Sequence, residues 1–457
     1  MKLASTNPSR NYEVLGEVEI STEEDIKNMV AKARAAQPAW AALSQAERNQ
    51  AVQSFVDVCK PSAEEIATTM AQEMGKPIKQ ARNQVNEAFS YFRDYMKMAE
   101  EALAPEIVFE NDTERHHLLH EPLGVIVAIT PWNFPILNIP WQFGQALLAG
   151  NAVIYKPSEE IVLFGALIAR LVAESDIPSD VFTTVLGDGK VGEILVKQPI
   201  DAILFTGSTR TGQKITELAA ANSTRVLTEM GGSAPGIVFE DADVPAIIET
   251  LYVMRFDNTG QYCDGLKRLI VHESKLDEVL SELKRINAGK KVGDAMSETS
   301  DLGPLVAKRQ LDVLKEQVQD ALDKGAEILF GGKEPANLQG AYYEPTVLTN
   351  ISFDMRVWKE EVFGPVLPVV AFKTEEEALK LANNTPYGLG AFVFTADAAR
   401  YLRVAKQLQS GIIAHNNALY FSTKSPFGGF KASGNSRAGG IEGFHEVTQT
   451  KLISEEK

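Results

Sequence analysis

The chain has 457 residues and a net charge of −16, with 44% apolar and 23% charged side chains. That length supports two or three domains with a sizeable core. The acidic balance excludes a surface built for nucleic acid or an anionic membrane, since either needs clustered Lys and Arg. The opening MKLASTNPSRNYEV lacks the apolar stretch of a secretory signal, and no run of about 20 apolar residues offers a membrane span. Two cysteines and no export signal fit a reducing cytoplasm.

Residues 20–103 read as helical. Three capping boxes mark helix starts, at Ser21 with Glu24, Ser44 with Glu47, and Ser62 with Glu65. In each, the hydroxyl and the carboxylate satisfy N–H groups that a helix entrance leaves free. Pro38, Pro61 and Pro77 punctuate the region. Two strands follow, Glu106–Phe109 and Arg115–His120, around an Asn111-Asp112 turn. His116, His117 and His120 invite a metal reading. They lack a nearby Cys or carboxylate set, and a strand puts His117 on the opposite face, so no metal is expected.

From residue 123 to 240 the pattern alternates strand and helix. The strands are Val125–Ile129, Ala152–Tyr155, Val181–Leu186, Ala202–Phe205 and Gly236–Phe239; helices include Ile161–Glu174 and Gln213–Ala220. This alternation predicts an α/β fold with a doubly wound parallel sheet, binding its ligand beyond the carboxyl ends of the strands. Gly187-Asp188-Gly189-Lys190-Val191-Gly192 matches G-x-G-x-x-G but lacks the acid expected about 20 residues on, so it reads as a tight turn. Phe205–Gly212 is the better phosphate loop: it follows a strand and opens a helix, whose free N–H groups face it. Gln213 excludes a Walker A motif.

A second α/β unit occupies residues 260–440. It holds a strand at Leu266–Val271, helices at Ser274–Asn287, Lys308–Lys324 and Thr374–Asn383, and a strand at Ile412–His415. Glu446–Ile453 alternates like an edge strand. Cys263 follows Asn258-Thr259-Gly260-Gln261-Tyr262, far from Cys59 and outside any metal-ligand spacing. A near-solitary thiol there is either a nucleophile or a small buried hydrophobe.

Four further segments stand out: Thr130–Pro135 with Trp132-Asn133, Lys156-Pro157-Ser158-Glu159, Thr228–Gly232 with Glu229, and Glu360–Pro365 with Glu361 and Phe363. With Pro426–Gly434 they run nearly end to end in an order that resembles the aldehyde dehydrogenase superfamily. The resemblance implies a cofactor domain (residues 1–104 and 123–231), a catalytic domain (232–440) and a small β oligomerisation arm (105–122 and 441–457). It also implies Cys263 as nucleophile, Asn133 and the Cys263 N–H as oxyanion donors, and Glu229 as general base. An NAD(P) cofactor would meet Trp132, Lys156, Glu159, Gly207, Ser208, Gly212, Glu361 and Phe363. Glu159 would repel a 2′-phosphate, which favours NAD; Lys156 keeps NADP possible.

Length and a short N-terminus resemble the compact bacterial succinate-semialdehyde dehydrogenases. Their carboxylate-gripping arginines would fall at Trp141 and Asp257, with Arg255 nearby. Trp141, Phe256, Tyr262, Tyr420 and Phe421 suggest instead an aromatic tunnel for an apolar or amino-aldehyde. Met230, Ser233, Asp264-Gly265 and Ser436 depart from the usual pattern without touching the core chemistry, although Asp264 lies close to it. The competing class is a cysteine hydrolase or esterase, with His415 or His445 as base. A homodimer or homotetramer is expected.

Overall fold

The structure is a computed structural model that describes residues 1–418 and 420–457. It opens with a hairpin that the sequence reading does not anticipate, β1 (Lys2–Asn7) and β2 (Glu13–Glu19). Four helices follow as expected: α1 (Glu23–Ala41), α2 (Gln45–Cys59), α3 (Ala63–Met74) and α4 (Ile78–Ala102). Ser44 caps α2: Glu47 N donates to its hydroxyl at 3.3 Å and Ser44 N donates to the Glu47 carboxylate at 2.7 Å. The first box sits one residue later than read. Thr22 and Asp25 close it, and Ser21 is taken up by Leu186, to whose carbonyl its N–H donates at 2.9 Å. Ser62 makes no side-chain cap, because its φ of −91° and ψ of 7° lack the extended geometry a capping hydroxyl needs. Pro38 lies near the end of α1 without ending it.

β3 (Glu106–Glu110) and β4 (Glu114–Pro122) pair antiparallel. His116, His117 and His120 meet Glu114, Glu455 and Glu106 at 3.4, 3.1 and 3.1 Å, which corrects the view that no carboxylates lie near them. Glu106, His120 and His445 bring ligand-type atoms within 4.8 Å of one another. The two imidazoles, however, stack with centroids 4.1 Å and planes 2° apart, so their in-plane lone pairs run side by side.

The alternating region then builds β5 (Val125–Ile129), α5 (Gln145–Leu148), β6 (Ala152–Lys156), α6 (Val162–Ala173), β7 (Phe182–Thr184), α7 (Gly189–Val196), β8 (Ala202–Thr206), α8 (Thr209–Ala220) and β9 (Arg225–Glu229). These five strands form one parallel sheet in the order β7-β6-β5-β8-β9. The strand read at Val181–Leu186 shortens to β7, and β9 went unread. The order reverses between β5 and β8, so the loops after these two strands part around a crevice.

The rest of the chain forms the second unit: β10 (Ala234–Val238), α9 (Val244–Phe256), β11 (Leu266–His272), α10 (Leu276–Asn287), α11 (Lys308–Asp323), β12 (Glu327–Phe330), β13 (Thr346–Thr349), α12 (Arg356–Lys359), β14 (Val366–Phe372), α13 (Glu375–Asn383), β15 (Gly390–Phe394), α14 (Ala398–Ala405) and β16 (Ile412–His415). Its seven-stranded sheet runs β12-β13-β14-β11-β10-β15-β16 and is parallel except for β12. The strand read at Gly236–Phe239 therefore belongs here, in β10. α15 (Gly440–Glu446) and β17 (Thr448–Glu456) end the chain, and β17 joins a three-stranded sheet, β17-β4-β3. The tail strand thus starts after Glu446, which closes a helix. No helix among the described residues is long and apolar enough to cross a membrane.

Each parallel sheet is covered on both faces. Phe55, Phe92, Phe143 and Tyr155 pack on one side of the first sheet, and Ile26, Val127, Leu195 and Ile215 on the other. Glu73 of α3 ties three elements together. It accepts from the Ser5 hydroxyl of β1 at 2.6 Å and from Leu163 N and Phe164 N, at the free amino end of α6, at 2.8 and 2.7 Å. Glu73→Gln puts a donor against one of these donors. It should lower the denaturant midpoint, with a loss of about 1–3 kcal/mol at unchanged slope.

Candidate functional site

The carboxyl ends of β8 and β9 lead toward the amino ends of β10 and β11. β9 ends on Glu229, Gly231-Gly232 crosses over, and β10 begins at Ala234. Cys263 stands three residues ahead of β11. The thiol is delivered by a left-handed turn, with Asn258, Thr259 and Gly260 at φ 47°, 56° and 71°. Gly260 admits no side chain, since a Cβ there would lie 2.4 Å from Gly364 O. Buried hydrogen bonds hold the other two in a conformation they rarely adopt. Asn258 Nδ2 donates to Asn133 O at 3.2 Å, Thr259 Oγ1 to Gly303 O at 3.0 Å, and Gln261 Oε1 accepts from Val306 N at 3.0 Å.

Asn133 follows β5, and its side-chain amide donates to Gln261 O at 2.9 Å, two residues before the thiol. Its carbonyl also takes the Lys76 ammonium at 2.9 Å. Lys76 lies over the Phe134 ring, and burial pushes it down to about 7. Glu229 is buried. One carboxylate oxygen accepts from the Ser436 hydroxyl at 3.1 Å and the other has no protein partner. Burial raises this carboxyl well above the usual carboxylate range. Ser436, read as lying outside the core pattern, is thus in direct contact with Glu229.

Two side chains were not singled out as site residues. Lys267 is buried and donates to Gly232 O at 2.9 Å, to Cys263 O at 3.1 Å and to the Glu361 carboxylate. Arg309 of α11 pairs with Glu160 at 2.7 Å and Glu159 at 3.6 Å. The signal for Lys267 was present: Lys267-Arg268 interrupts an otherwise apolar buried strand, where charges must find partners.

A cavity runs past the thiol, lined by Trp132, Asn133, Gly207, Ser208, Glu361 and Phe363 as well as Cys263. Trp132 and Phe363 meet edge to face at 5.6 Å. A neighbouring cavity is lined by Lys156, Glu159, Gly189, Gly192, Ser208 and Arg309. Ser208 caps α8, so the first N–H groups of that helix border this space. A Cβ on Gly207 would strike the Phe205 ring at 2.6 Å, which keeps the loop low. Such a pair of joined cavities, with a helix amino end between carboxylates, fits a dinucleotide. Gly212 does not face it: it is buried where a Cβ would meet Met230 Sδ at 2.4 Å. Its part is helix packing.

The expected aromatic residues divide. Trp141 packs on Phe427 at 4.6 Å, and Phe421 lies 5.5 Å from it. Tyr262 meets Phe134 at 4.7 Å and donates to Asp257 at 2.7 Å. Tyr420 stacks on Phe392 at 4.6 Å, and its hydroxyl lies 3.4 Å from Asp264 O. Phe256 is instead a core residue of α9, packed on Tyr252 at 4.6 Å. Arg255 is buried and bonds to Val362 O, Gly364 O and Leu266 O, so its guanidinium is committed to backbone. His415 bonds Thr395 O at 3.0 Å and His445 bonds Ala102 O at 3.0 Å. Neither pairs with Cys263, so neither supplies the histidine base of the competing cysteine-hydrolase reading.

The chain matches the aldehyde dehydrogenase family over residues 1–453. It is 35% identical to mitochondrial succinate-semialdehyde dehydrogenase of Oryza sativa subsp. japonica, over 98% of this chain and 85% of that one. It is 36% identical to peroxisomal aminoaldehyde dehydrogenase 1 of Pisum sativum, over 99% and 92%. The crystal structure of PnpE from Pseudomonas sp. WBC-3 superposes with a TM-score of 0.96 at 33% identity, covering 100% of this chain and 94% of that one. The chain belongs to the aldehyde dehydrogenase family and is an NAD(P)-dependent oxidoreductase acting on aldehydes.

Burial raises the Cys263 thiol well above the ordinary thiol range; Asp264 adds to the effect and the Lys267 cation opposes it. The thiolate fraction therefore grows with pH. Alkylation of Cys263 should be slow at neutral pH and rise through the alkaline range. Lys267→Met should slow it further at every pH. Cys59, buried and pushed up to about 12, should stay unmodified throughout.

Proposed function

We propose that Cys263 attacks the aldehyde carbonyl to give a thiohemiacetal, which loses hydride to become a thioester that water cleaves to the free acid. The observation that carries this is Cys263 and Asn133 on one cavity fit for a dinucleotide, where two sheets meet, with the buried Glu229 carboxyl on the cavity behind it. The resting thiol is protonated, and its nearest acceptor is Asp264 Oδ1 at 3.7 Å. A proton must leave as the C–S bond forms, and Glu229 is the second carboxyl that can receive it. The Asn133 amide and the Cys263 N–H are the donors for the developing oxyanion; one such donor is worth about 3 kcal/mol in the transition state. When bound, the nicotinamide cofactor supplies the hydride acceptor. Once Glu229 has released the thiol proton to solvent and is ionised again, its pKa, raised toward the working range, lets it take a proton from the attacking water.

Cofactor preference rests on Glu159, which lines the outer cavity and carries a charge that opposes a 2′-phosphate. NAD is the favoured cofactor; Lys156 and Arg309 on the same cavity leave NADP as the minor one. The substrate tail is cationic rather than carboxylate. Arg255 is withdrawn, while Asp257, Asp264 and Glu87 act on Tyr262. The nearby Lys76 is bound to Asn133 O. Aromatic faces favour an ammonium group, and the commitment of Arg255 to backbone withholds its guanidinium from the second carboxylate of succinate semialdehyde. The sheet β17-β4-β3, with Ile107, Val108, Phe109, Leu452 and Ile453 exposed, is the arm of a homodimer or homotetramer. Free Cys59 and Cys263 suit a reducing cytoplasm.

Cys263→Ala should abolish aldehyde-dependent NADH formation while NAD still binds; retained turnover would reject the thiol mechanism. Across a substrate panel, kcat/KM for a short amino-aldehyde should exceed that for succinate semialdehyde at least tenfold, as an order of magnitude for one charge reversal at a partly desolvated site. The opposite ranking would reject the cationic assignment. Glu159→Gln should raise the NADP rate relative to NAD.

A further inference from the structure

The Glu229 carboxyl does not face the cavity that holds Cys263. It lines a separate, smaller cavity behind the site, with Gln142, Thr206, Ser436, Arg437 and Glu446. There its Oε1 sits hard against Gly428, where a Cβ would lie 2.7 Å away. It also receives the Ser436 hydroxyl at 3.1 Å. Ser436 is buried, and its Oγ stands equally close, 3.1 Å, to Thr228 O. One hydroxyl hydrogen has two acceptors to choose between.

That choice gives Ser436 a partner in both protonation states of the base. Opposite an ionised Glu229, Ser436 donates to the carboxylate. Opposite a protonated Glu229, the carboxyl O–H donates to Ser436 Oγ, and the serine hydrogen turns to Thr228 O. We propose that Ser436 is a positioning residue that parks Glu229 away from the thiol and stays bonded to it whether or not the base carries a proton. The base must then leave this seat to reach water at the thioester. The proposal rests on Glu229 being the general base.

The other groups that act on this carboxyl are Arg437, which favours its charge, and Glu446 and Asp264, which oppose it; the Cys263 thiol lies across the site. Glu446 is itself paired with Arg225 at 2.9 Å. The bond to the ionised form is charge-assisted and so stronger than the bond to the protonated form, so losing Ser436 makes ionisation harder and the base should titrate at higher pH.

The test uses the full-length enzyme acylated by 4-nitrophenyl acetate, where a nitrophenolate burst reports acylation and the following steady state reports thioester hydrolysis. Ser436→Ala and Ser436→Gly should each move the midpoint of the hydrolysis pH profile up by about one pH unit. Ser436→Thr should return it to the wild-type position. Midpoints that coincide in all four proteins overturn the proposal, even if the variants melt earlier. Glu229→Gln separates the two readings: slow hydrolysis at every pH keeps Glu229 as base and leaves the serine profiles to decide. Wild-type hydrolysis in Glu229→Gln rejects the base, and the parked base with it.

Discussion

The left-handed turn at Asn258–Gly260 sets where the thiol sits. Two non-glycine residues in that region cost roughly 1–3 kcal/mol each, and neither survives without outside support. The support comes from every side of the site: Asn133 after β5, Gln80 of α4, Gly303 and Val306 ahead of α11, and the packed carbonyl of Gly364. The nucleophile is therefore positioned by contacts that reach across both sheets. The same contacts align the Asn133 amide, because Asn258 and Asn133 share bonds to Gln261 O.

Charge is handled in one consistent way around this turn. Lys76, Arg255, Lys267 and Arg268 are all buried, and each donates to backbone carbonyls. Of these four, Lys267 also meets a carboxylate, that of Glu361. A cation bound to carbonyls is fixed in place without being cancelled, so its field still reaches the reacting groups; Lys76, lowered by burial to about 7, carries that charge only in part near neutral pH. The acids nearby, Glu229, Asp257 and Asp264, are instead pushed toward their neutral forms by burial. The thiol sits between these two populations.

Much of this was legible in the sequence. The helices of residues 23–102, the alternation that gives the first sheet, and the loop at Ser208 follow from capping, periodicity and turn chemistry, while the segment at Asn133 stood out through the family resemblance. What escaped has physical reasons. β9 and β10 are joined by a short crossing through Gly231-Gly232, so the change of sheet leaves no long linker to read. Ser62 has the right residue in the wrong backbone state. Gly212 looked like a ligand residue because helix packing and ligand approach both demand a missing side chain. Arg255 was visible, but the direction of its side chain depends on residues more than 100 positions away, Val362 and Gly364. Ser436 meets Glu229 across 207 residues, a contact no local pattern carries.

The sheet that β17 completes has a consequence for biosynthesis. Thr448 lies opposite Pro122 and Glu456 opposite Glu114, so β4 waits for a strand made more than 300 residues later before its second edge is paired. Until β17 is made that edge is open, while the two large units already have their own strands. Such late, long-range pairing is slow and leaves backbone donors available to other chains. The charges along these strands, Glu106, Glu110, Glu114 and Arg115 on one side and Lys451, Glu455 and Glu456 on the other, make an unpartnered edge a poor template for aggregation until β17 arrives.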